Sequence, residues 1–78
     1  MYLSVMDVRP LADYKLELMF ENKEKRVFDV TPYLDTGVFT KLKDKTVFTQ
    51  VKVSFDAIEW PEGIDLDPEI LYRDSSPV

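Results

Sequence analysis

A chain of 78 residues supports one domain and not two. With 45% hydrophobic and 13% aromatic residues it carries enough apolar material for a core, which separates it from disordered chains. It has no cysteine and no histidine, and its formal net charge is −5, so disulfides, thiolate metal sites, cysteine nucleophiles and Ser-His-Asp arrangements are excluded.

Tyr2 to Arg9 mixes β-branched and apolar residues and predicts a strand, although Val5, Met6 and Val8 cannot all share one face. Pro10 and Asp13 bracket a turn. Tyr14, Leu16, Leu18 and Phe20 then alternate with Lys15, Glu17, Met19 and Glu21, the period of a strand with one buried face. Glu21 to Glu24 is a tight polar turn in which Asn22 is suited to a left-handed conformation, and Lys25 to Val30 returns as the second strand of a hairpin.

Thr31-Pro32 reads as a helix start, with Thr31 as N-cap and Pro32 at the first helical position. Gly37 is placed for a left-handed C-terminal cap. Val38, Phe39 and Leu42 are expected to share one apolar turn, Phe39 and Leu42 three residues apart, and Asp44 can cap another that carries Val47 and Phe48. Val51, Val53 and Phe55 alternate as a strand, Asp56-Ala57 turns, and Ile58 to Trp60 returns. Asp67-Pro68-Glu69 is a strong helix N-terminus: a capping carboxylate, a proline and an acid at the positive end of the dipole. The pattern predicts an α+β fold: a small antiparallel sheet of about five strands, short helical turns and a short C-terminal helix. Residues 1–73 form the expected domain and residues 74–78 the expected flexible tail.

Chemistry is tightly limited. Without histidine the usual general base near neutral pH is missing, and with only Gly37 and Gly63 there is no glycine-rich phosphate loop. Asp65 and Asp67, joined by Glu62 or Glu69, offer oxygen ligands for Mg²⁺ or Ca²⁺. The calcium-loop pattern breaks at Pro68, however, and a helix cap and a turn already call for these carboxylates. No enzyme, metal or cofactor is therefore expected; a carboxylate-based ion-binding protein or enzyme is the alternative.

Charge is uneven. Residues 53–78 hold seven acids against Arg73 alone, a net of −6, whereas residues 1–52 stand at +1. An acidic surface of this kind repels nucleic acid and favours a basic protein partner, or simply keeps the domain soluble. Lys41, Lys43, Lys45 and Lys52 are read as a solvated face, so direct nucleic-acid binding is not expected; an accessory domain of a transcription regulator is the second alternative. Trp60 shares a face with Ile58 and reads as a core anchor, an interface residue being the alternative, and Tyr72 can pack its ring while its hydroxyl stays wet. The N-terminus lacks the basic and apolar regions of a signal peptide, no run is long enough to span a membrane, and a cytoplasmic setting is expected.

Several segments together resemble a bacterial and archaeal family catalogued as domain of unknown function 2442. They are Phe20-Glu21-Asn22, Lys25 to Leu34, Gly37-Val38-Phe39, Leu42-Lys43-Asp44, Phe48, Val51, Val53, and Trp60-Pro61-Glu62-Gly63-Ile64-Asp65-Leu66-Asp67-Pro68-Glu69-Ile70-Leu71-Tyr72. Two features depart from the family pattern: Lys23 stands where glycine often follows the hairpin asparagine, and the loop before Ile58 is short. The resemblance implies a compact α+β fold without a known catalytic site. It also implies a gene often placed beside that of a second small protein, in the manner of a toxin–antitoxin pair. Some members continue into a helix-turn-helix domain, which the resemblance here does not cover. The expected function is a non-catalytic protein-binding module, the antitoxin-like partner of such a unit. Its expected binding surface comprises Trp60, Glu62, Asp65, Asp67, Glu69 and Tyr72. Exposed sheet edges leave homo-oligomerisation open.

Overall fold

The computed structural model describes residues 3–78; Met1 and Tyr2, the latter the first residue of the expected opening strand, lie outside the described residues. The chain is α+β, with two antiparallel sheets in place of the one expected. The first sheet contains β1 (Val5–Leu11), β2 (Lys15–Phe20), β3 (Lys25–Asp29) and, from the far end of the chain, a two-residue strand (Ser76–Pro77), in the spatial order β1, β2, β3, C-terminal strand.

Leu16, Leu18 and Phe20 point into the core at 0–1% exposure, as their alternation requires. Pro10 is part of β1 and sits opposite Leu16, not in a turn. It is tolerated because β1 is an edge strand, where a missing N–H costs no ladder bond. The turn falls at Ala12–Tyr14, where Asp13 (φ 61°) and Tyr14 (φ 60°) are left-handed.

Phe20 N–H donates to the Glu24 carbonyl, which leaves a three-residue loop, and the residue in the left-handed region is Lys23 (φ 69°), not Asn22. Asn22 instead uses its side-chain oxygen to accept from Glu24 N–H at 3.0 Å, a local Asx turn.

Short helical turns cover the sheet. The 3₁₀ turn Thr31–Tyr33 begins without a Thr31 side-chain cap. Asp29 does that work, accepting from Thr31 N–H at 3.0 Å and from its hydroxyl at 2.7 Å. These bonds, the hydroxyl's first, hold the Asp29 carboxyl below its ordinary value. Gly37 takes the left-handed conformation expected of it (φ 49°) and opens a second 3₁₀ segment, Gly37–Lys43. The expected cap at Asp44 is present, accepting from Thr46 N–H at 2.9 Å at the head of α1 (Lys45–Phe48).

The second sheet comprises β4 (Lys52–Ser54), β5 (Ala57–Trp60) and β6 (Ile64–Leu66) in that order. Ser54 pairs with Ala57, so Phe55 (φ 48°) and Asp56 (φ 70°) alone form the β4–β5 loop. Both are left-handed, as a type I′ turn demands. This is the tight final hairpin that the short loop implied, but it removes Phe55 from the expected strand and leaves it 98% exposed. α2 (Pro68–Asp74) follows β6 directly, and Asp67 caps it as expected, accepting from Glu69 N–H at 2.8 Å. Among the described residues no helix is long and apolar enough to cross a membrane.

One core joins the layers: Val5, Leu16, Leu18, Phe20 and Phe28 from the first sheet, Ile58, Trp60, Ile64 and Leu66 from the second, and Leu42, Phe48 and Leu71 from the helical turns. The sheets also touch edge to edge, where Val5 N–H donates to the Asp56 carbonyl at 2.9 Å.

Candidate functional site

The residues expected to form one surface divide into two groups. Trp60 faces inward at 2% exposure. Its indole N–H donates to the Phe48 carbonyl at 2.9 Å, and its ring packs on Phe48 with centroids 6.2 Å apart. It offers a partner almost no surface, because β5 places Trp60 on the same face as Ile58 and that face is the core. Tyr72 is half-buried and its hydroxyl is engaged, donating to Glu24 Oε1 at 2.7 Å. Its ring stands edge-on to Phe20 at 5.1 Å and lies under the Arg26 guanidinium, 4.4 Å from the ring centre.

Glu62, Asp65, Asp67 and Glu69 are all exposed. β6 carries Asp65 outward between the buried Ile64 and Leu66. Directly across, β5 presents Glu59 on the same outer face. Like charges in this position are destabilising, and the nearest compensation is Lys52, whose Nζ lies 3.8 Å from Glu59 Oε1. Glu62 sits in the left-handed turn between β5 and β6 (φ 69°) and pairs with Lys41 at 2.7 Å. Among the described residues Asp65, Asp67 and Glu69 form no ion pair. β6 and the head of α2 therefore present a short acidic edge, flanked by an open groove lined by Gln50, Lys52, Glu59 and Glu62. Among the described residues no three metal-ligating side chains converge.

A third cluster lay beyond sequence reasoning. Arg26 on β3 donates to Glu24 (2.6 Å), to the Ser75 hydroxyl (2.6 Å) and to the Ser75 carbonyl (2.7 Å). Ser75 is buried, and the following residues pair with β3, Arg26 opposite Pro77 and Val27 opposite Ser76. Within the expected flexible tail, Asp74 ends α2 and Ser76–Pro77 forms a short strand, and the Ser75 hydroxyl and carbonyl beside it accept two of the Arg26 hydrogen bonds. The Tyr72 hydrogen bond, and then Arg26, hold the Glu24 carboxyl below its ordinary value; the same bond raises the Tyr72 hydroxyl. The sequence signal for this cluster is faint: an arginine inside a strand and a serine after a helix.

The family model described as "Protein of unknown function (DUF2442)" matches residues 5–77. No curated protein and no solved structure matches the chain.

Proposed function

The chain belongs to the DUF2442 family, and from that premise we propose that it is a non-catalytic protein-binding module, the antitoxin-like partner in a two-gene unit, whose acidic edge receives a basic surface of the neighbouring gene product. One observation carries this reading. Asp65 stands exposed beside a second acid, Glu59, and is continuous with Asp67 and Glu69, which have no ion-pair partner among the described residues. Lysines or arginines of a partner would relieve that repulsion, and at a solvent-exposed rim such charges act mainly on association rate and specificity.

The binding residues under this reading are Asp65, Asp67 and Glu69, with Glu62 at the rim. The test is co-expression with the neighbouring gene product followed by co-purification at low salt. A complex whose association slows as salt rises is expected. Asp65→Lys should slow association further. It should also stabilise the free domain by about 0.2–1 kcal/mol, because it converts a like-charge cross-strand pair into an opposite one. Failure to form a complex at low salt would overturn the proposal.

A further inference from the structure

The β4–β5 hairpin ends in a residue that the monomer does not use. Phe55 is 98% exposed and left-handed at φ 48°. Asparagine or glycine would fill this turn position with less strain, and a bulky side chain there is a marked outlier. No aromatic pairing holds the ring among the described residues.

The same end of the molecule carries an apolar groove of about 170 Å³, lined by Met6, Met19, Phe20, Glu21 and Lys23. Met6 is 61% exposed at the irregularity between Val5 and Asp7 in β1. Met19 lies on the outer face of β2, opposite in direction to Leu18 and Phe20. An apolar space of about 150 Å³ accommodates a benzene ring, so the groove matches the Phe55 ring in size. Methionine side chains adapt their shape to an aromatic guest. Knob and groove are neighbours: the residue after Phe55 accepts a hydrogen bond from the residue before Met6, Asp56 carbonyl to Val5 N–H.

We propose that two copies of this chain associate about a two-fold axis through this end, Phe55 of each entering the Met6–Met19 groove of the other. A two-fold interface requires one patch that complements itself, and an adjacent knob and groove of matching size meet that requirement. With few apolar side chains at its centre, the interface belongs to the small class, and the dimer forms and dissociates with concentration. Each copy carries a net charge of −5, so the copies repel and salt tightens the dimer. The acidic edge's basic partner responds to salt in the opposite sense, which separates the two proposals experimentally.

Sedimentation velocity over a concentration series reaching the millimolar range tests this. The unmodified chain should shift from monomer to dimer, and more readily at higher salt. Phe55→Asn should weaken association at least about tenfold, as loss of a central aromatic anchor does. Its melting temperature should hold or rise, because asparagine tolerates the left-handed turn; misfolding would not explain the loss. Met19→Lys should weaken association from the groove side. An equal mixture of the two variants should associate better than either alone, since one of the two knob-and-groove contacts is then intact. A chain that stays monomeric throughout, variants that dimerise like the parent, or a mixture no better than its components would each overturn the proposal.

Discussion

In a three-residue hairpin loop the last residue turns left-handed, and at Lys23 that turn is made with a side chain (φ 69°). Crowding of Cβ against the following carbonyl oxygen disfavours this conformation for any residue but glycine. Lys23→Gly should raise stability by about 0.5–1 kcal/mol, part of the relief being offset by the freer unfolded chain, and thermal unfolding should show a midpoint a few degrees higher. An unchanged or lower midpoint would mean that the lysine side chain contributes more than its strain costs. Caps at Asp44 and Asp67 were legible because a carboxylate stands just ahead of a helical turn. Phe55 was not: its alternation with Val51 and Val53 reads as strand, and no glycine or asparagine announces the turn it occupies. Thr31 misled for a related reason, since a threonine before proline is a good cap in isolation and only the structure shows Asp29 already in place.

At the scale of elements, the Tyr72–Glu24 bond joins α2 to the β2–β3 hairpin, while Arg26 joins β3 to Ser75, between α2 and the C-terminal strand. Glu24 has a lowered carboxyl, so its contribution is fully present above the ordinary value of 4.5 and is lost as pH falls through the lower folded value. Tyr72 has a raised hydroxyl, so its contribution is fully present below the ordinary value of 10.0 and is lost as pH rises through the higher folded value. Tyr72→Phe should therefore lower the midpoint of unfolding at pH 7, and the gap between variant and parent should narrow toward both extremes. A gap independent of pH would show that ring packing on Phe20, not the hydrogen bond, accounts for the loss. None of this joint was legible in the sequence. Periodicity identifies a strand by its own pattern, and Ser76–Pro77 is too short to have one; its register lies in its pairing with Arg26 and Val27, far away in the chain.

For the whole molecule, stability of about 0.05–0.15 kcal/mol per residue implies a total near 4–12 kcal/mol for a chain of this length. Truncating a buried tryptophan costs about 3–5 kcal/mol. Trp60→Ala should remove a large share of that total, and denaturant titration should show a much lower midpoint or no cooperative transition. The α+β class was legible because strand and turn signals were strong from Tyr14 to Val30 and again from Val51 to Trp60. The division into two sheets was not, since Ile64–Leu66 is a three-residue strand whose pairing with β5 no local pattern specifies. The acidic character of the candidate site was legible residue by residue, and so was the core side of β5, where Trp60 shares the buried face of Ile58. That placement makes the chain its own optical probe. Trp60 is the sole tryptophan, enclosed at 2% exposure with its N–H bound to a backbone carbonyl. Its emission comes from one dry environment beneath the second sheet and shifts to the red when water enters, so a single unlabelled fluorescence trace follows the opening of the core in real time.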